Sequence, residues 1–141
     1  SWAENLPDHV FDWLVIEPTR KLVENLRSAG VTVPIIGFPR GAGAKLADYV
    51  AQTGVNAVGL DTGQVPSFVN TSLPKGFPVQ GHLDPLSVIA GGKQMLDRAD
   101  QIIEAYRADG RPHVFNLGHG ITPDAKPEHV ETLMKHIQAM G

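Results

Sequence analysis

The chain has 141 residues, 42% of them hydrophobic, with no cysteine, 12 basic against 15 acidic side chains and a formal net charge of −3. That balance lacks the basic excess of a nucleic-acid footprint, and the missing cysteine excludes a disulfide framework, a thiolate nucleophile and any Cys-containing metal site. No apolar run approaches the roughly 18 residues that span a bilayer, so one soluble cytoplasmic unit over residues 1–141, without membrane or nucleic-acid partner, is expected.

In chain order, the sequence opens on Ser1-Trp2-Ala3 with neither Met nor leader, as expected of a chain trimmed from something longer. Asp8 to Ala29 follows a helical pattern, with Phe11, Leu14, Val15, Leu22, Val23 and Leu26 on its apolar face. Pro18 is expected to start a new helix inside this stretch, Gly30 to cap its end, and Trp13 to lie in the core. A β-branched run predicts a strand near 33–38, stopped by Pro39. Ala44 to Thr53 reads as a short helix closed by Gly54, and a second strand is predicted near 57–61, ending on Asp61. Val65 to Asn70 suggests a helical turn. A third strand near 78–81 runs into a polar loop over His82-Leu83-Asp84-Pro85. Lys93 to Asp109 is amphipathic, a fourth strand is predicted near 113–117, and Pro127 opens a last helix bearing Val130, Leu133, Met134 and Ile137.

Strands that are nearly all apolar and alternate with helices indicate a parallel sheet covered on both faces. Polar and glycine-rich residues gather after the strands, at the carboxyl edge where barrels and open α/β sheets carry their sites. Either architecture fits, but a full barrel takes about 200–250 residues, so four strand–helix units make only part of one.

Several side chains at that edge have a chemical and a plain reading. His119, between two glycines after a strand, is a functional histidine or one that packs a loop. Arg40-Gly41-Ala42-Gly43-Ala44-Lys45 resembles a phosphate loop but lacks Gly-Lys-Ser/Thr, and Leu46 stands where a dinucleotide fingerprint has glycine. It is a tight strand-to-helix turn, or a turn whose N–H groups and Arg40 hold a substrate carboxylate. Asp61 is equally an acid/base group or a cap. His82 and Asp84, one residue apart, are weak evidence for a metal, and His9, His113, His129 and His136 read as surface or loop residues.

Three stretches resemble one known family. Phe115-Asn116-Leu117-Gly118-His119-Gly120-Ile121-Thr122-Pro123, followed by Pro127-Glu128-His129-Val130, is similar to the C-terminal signature of the uroporphyrinogen decarboxylases. Gln80-Gly81-His82-Leu83-Asp84-Pro85 is similar to a second motif, with His82 where the family usually has Asn. Ser1-Trp2-Ala3 resembles a third, with Glu4 in place of Gly. The resemblance implies a (β/α)8 TIM-type barrel of which this chain is the C-terminal half, and a cofactor-free, metal-free carboxy-lyase. Such an enzyme converts the four acetate side chains of uroporphyrinogen III to methyls, giving coproporphyrinogen III for porphyrin and haem synthesis.

The family's serine and histidine fall on Ser1 and His119 as catalytic residues, and Arg40, Gly41, Asp61 and His82 are expected to bind substrate. The carboxylate that binds the pyrrole nitrogens, the substrate-pairing arginines and a tyrosine belong to the front half. The tetrapyrrole is the expected partner, with a homodimer at full length and an inactive fragment when this part stands alone. Two competing readings are a cobalamin-dependent methyltransferase of the same superfamily, opposed by the lack of cysteine for its zinc site, and a non-catalytic interaction module.

Overall fold

The computed structural model describes residue 3 and residues 5–140. Four short strands, β1 (Ile36–Gly37), β2 (Ala57–Gly59), β3 (Val79–Gln80) and β4 (His113–Val114), form one parallel sheet in the order β1-β2-β3-β4. All four lie within the predicted runs, and the bridge between Leu83 and Leu117 extends the β3–β4 pairing toward the carboxyl edge. Each strand is laid beside its predecessor on the same side. Parallel crossovers are right-handed, so this order puts the connecting helices on one face, as in a barrel, whereas a doubly wound sheet reverses direction at a switch point.

The register identifies the two faces. Gly37, Val58, Val79 and His113 stand side by side in one row. A Cβ built on Gly37 would lie 2.5 Å from the Tyr49 hydroxyl, and the His113 ring packs 4.7 Å from that of Tyr106, so this row faces the helices. The neighbouring row, with Phe38, Gly59, Gln80 and Val114, looks the other way. Among the described residues this second face is open: Ile36, Phe38 and Val114 are exposed. The expectation of a sheet covered on both faces is therefore corrected, because a sheet wound in one direction carries its helices outside and turns its other face inward.

The helical layer consists of α1 (Asp8–Phe11), α2 (Glu17–Ser28), α3 (Leu46–Thr53), α4 (Pro66–Ser72), α5 (Pro85–Ala90), α6 (Gly92–Ala108) and α7 (Pro127–Ala139). Between α1 and α2 the chain makes a π-turn over Asp12–Ile16, where the Glu17 N–H reaches back to the Asp12 carbonyl. The wider turn seats Pro18 in the first turn of α2, where its missing N–H breaks no ladder. It also shifts the helical phase, so that the buried residues are Phe11, Ile16 and Val23, five and then seven apart, while Leu14 and Leu22 are exposed. Trp13, expected in the core, is 66% exposed for the same reason.

Gly30 caps α2 as predicted. Its N–H bonds the Arg27 carbonyl and the Val31 N–H bonds that of Leu26, the paired bonds of a Schellman motif, with Gly30 at φ +87°. Gly110 closes α6 in the same way: its N–H bonds the Arg107 carbonyl and the Arg111 N–H bonds that of Tyr106. Helix α5 starts at the last residue of the predicted polar loop and runs through a stretch for which the sequence predicts no element. Asp84 caps it, its carboxylate accepting from the Leu86 N–H at 2.9 Å, with Pro85 at the first position. Between sheet and helices lies a core that includes Val58, Leu60, Val79, Leu83, Met95, Ile102 and Tyr106. Among the described residues no helix is long and apolar enough to cross a membrane.

Candidate active site at the carboxyl edge

Beyond the strand ends, the loops after β1, β2 and β4 meet. Asp61 links the first two: one carboxylate oxygen accepts from the Gly41 N–H at 2.7 Å and the other from the Gly63 N–H at 2.9 Å. The loop after β4 lies directly on this one. A Cβ on Gly118 would come within 2.4 Å of the Thr62 nitrogen, so only glycine permits the contact, and the next residue, His119, is carried to the edge.

Two cavities open here. The first, about 530 Å³, lies against the open sheet face and is lined by Ile36, Phe38, Gln80, Asn116 and Ile121, among others. The second, about 400 Å³, sits over the strand-end loops, lined by Arg40, Gly41, Asp61, Thr62, Asp84 and Thr122 among others. His119 borders both. One cavity is largely apolar in its side chains and the other carries charge, and the imidazole stands at their junction. The His119 Nδ1 lies 2.9 Å from the Gly120 carbonyl oxygen. A carbonyl only accepts, so Nδ1 donates, and Nε2 is the atom left to meet a ligand.

Of the residues singled out in the sequence, His119, Arg40, Gly41 and Asp61 are thus brought together. Ser1 lies outside the described residues. His82 is placed elsewhere: its ring is buried, 2% exposed, and hydrogen-bonded through Nε2 to the Tyr106 hydroxyl on α6 at 2.9 Å. Strict strand alternation would aim His82 at the open face, but Gly81, at φ +134°, breaks the pleat and returns the ring to the helix side. His113, expected at the surface or in a loop, joins this cluster, with its Nε2 2.5 Å from the Gly81 carbonyl oxygen. Burial, aided by the charge of Arg98, lowers the His82 pKa to about 4. It lowers that of His113 too, and raises that of Tyr106. Both imidazoles are therefore neutral at pH 7.

Two further lining residues lie within the quoted motifs but outside the expected set of site residues. Gln80 borders the first cavity from the open row of β3. The Thr122 hydroxyl oxygen, beside the second cavity, is buried without a hydrogen-bond partner among the described residues. Period-two alternation along β3 marks Gln80, whereas Thr122 is marked only by its place in the C-terminal motif.

A parallel sheet wound in one direction, helices outside and a charged rim at its carboxyl ends, defines part of a (β/α)8 barrel of the enzyme type. Comparison with known proteins makes the class specific. The uroporphyrinogen decarboxylase (URO-D) family model matches residues 1–140, and the chain belongs to that family. It is 59% identical over 138 residues to a uroporphyrinogen decarboxylase of Hyphomonas neptunium, covering 98% of this chain and 40% of that protein. Similar relatives of the same name occur in Maricaulis maris, 50% identical with 39% of that protein covered, and Caulobacter vibrioides, 47% identical with 38% covered. The chain thus spans about two fifths of the length of these relatives, for example 40% of the Hyphomonas protein.

Proposed function

We propose that this chain forms the C-terminal part of a uroporphyrinogen decarboxylase, and that its strand-end rim binds the carboxylates of the tetrapyrrole while the apolar cavity takes the macrocycle. The observation that carries this reading is the position of His119, at the junction of the two cavities within the motif that matches the family. The chemistry asks little of a protein beyond placement. A pyrrole protonated at its α carbon is an electron sink: the bond from the side-chain methylene to its carboxylate breaks, the electrons flow into the ring and CO2 leaves. The methylene carbon then takes up a proton to become methyl, and the α carbon gives its proton back to restore the aromatic ring, so that one proton is consumed for each CO2 released. Anion binding, proton delivery and exclusion of water are what remain for side chains to supply.

Arg40 is the cation of the second cavity, and Gly41 and Asp61 shape the turn that carries it. His82 supports the edge from behind through Tyr106. His119 acts by positioning a substrate carboxylate, with Nε2 the ring atom left to face it. In full-length protein turning over uroporphyrinogen, His119→Asn should keep measurable activity, since the loss of one hydrogen bond to a charged group costs about 1.5–3 kcal/mol, and should change the balance of partly decarboxylated intermediates seen by chromatography. A loss beyond about 10³-fold with the fold intact would instead assign His119 the proton transfer.

A further inference from the structure

Asp61 sits at the rim with no direct need of a ligand. One carboxylate oxygen accepts from Gly41 and the other from Gly63, so the two strand-end loops are tied through a single side chain that is half-buried. A carboxylate so engaged would have to break main-chain bonds before it moved a proton. Its own peptide unit is in turn the surface on which Gly118 rests: the built Cβ there lies 2.9 Å from the Asp61 carbonyl carbon as well as 2.4 Å from the Thr62 nitrogen. The turn carrying Arg40 and the turn carrying His119 therefore both touch the same short loop.

We propose that Asp61 is a positioning residue for the reaction, holding the Arg40–Gly41 turn in register with His119 so that one substrate molecule meets both. The inference rests on the decarboxylase reading and assigns Asp61 no contact with the reacting atoms. The carboxylate is suited to this because it is acceptor-only at both oxygens. An amide keeps one acceptor and turns an NH2 toward the other N–H, so Asp61→Asn loses one of the two ties.

The test uses the full-length protein and has two arms. In kinetics, Asp61→Asn is expected to raise KM for uroporphyrinogen about tenfold, the scale of a lost charge-assisted hydrogen bond, with kcat and the shape of its pH profile retained. Placed on Arg40→Ala, which raises KM by itself, the same substitution should add little, because both act through one turn. Gly41→Ala, which strains the turn at φ +76° from the other end of the bond, should reproduce the KM effect and stands in if Asp61→Asn fails to fold. In the second arm, which needs no turnover, glycine-selective labelling should show one of the Gly41 and Gly63 amide protons losing its hydrogen-bonded shift in Asp61→Asn.

Turnover slowed by about a hundredfold or more, with loss of a pH limb, would overturn the proposal and make Asp61 an acid/base group. A full Asp61→Asn effect persisting on Arg40→Ala would overturn it as well, as would unchanged KM. Wild-type protein that ignores uroporphyrinogen would remove the functional reading, while the amide signals would still report whether the tie exists.

Discussion

His82 is a neutral histidine packed against Tyr106 where burial, with the charges of Arg98 and His113, outweighs the attraction of Asp61 and disfavours its charged form, and this gives the fold an acid-sensitive joint. Its pKa is near 4 in the folded chain and about 6.5 when unfolded. The unfolded state therefore binds more protons between these values, so stability is complete above about pH 6.5 and is lost as pH falls toward 4. The full effect is at most about 3 kcal/mol, with His113 adding in the same direction. Denaturant unfolding of the full-length protein at pH 7.5 and 4.5 should show this loss, and His82→Asn should flatten it; equal pH dependence in both would refute it. His119 and Arg40 were legible in the sequence because glycines and a preceding strand mark a strand-end turn. His82 was not, since the side a residue faces depends on a pleat that Gly81 interrupts.

The helices and strands differ in how openly the sequence declares them. The four strands are recognisable as short apolar runs between helical patterns, the first of them β-branched and stopped by Pro39, yet each is two or three residues long where the sequence predicts four to six. Barrel strands diverge at their ends, and ladder pairing ends before the apolar run does. The first helix misleads for another reason: a single π-turn moves every later residue on the helical wheel, and periodicity at 3.6 residues cannot register it. Asp84-Pro85 is a helix start in plain sight, a capping carboxylate followed by proline, hidden by the polar motif around it. Caps, by contrast, are readable. Gly30 has open space around its Cα, so Gly30→Ala meets no neighbour and costs only the left-handed backbone penalty, about 1 kcal/mol. Chemical denaturation of the variant should show that loss; an unchanged midpoint would mean the cap carries no strain.

At the scale of the whole molecule, the open sheet face joins architecture to chemistry. Parallel sheets are seldom left with an exposed apolar face, and here the exposed Ile36 and Phe38 line the same concavity that His119 borders. The strand order made the choice between a barrel and an open sheet that composition and periodicity had left undecided. On the proposed decarboxylase reading, the carboxylates of the substrate would meet Arg40 and its ring the apolar floor. We propose that the chain belongs to a decarboxylase that works without metal or cobalamin, and anaerobic turnover of uroporphyrinogen III by the full-length protein, with a chelator present, tests this most directly. Release of CO2 with stepwise appearance of coproporphyrinogen III is the expected result. Folded protein that leaves uroporphyrinogen intact, or that acts only when cobalamin and zinc are supplied, would contradict it.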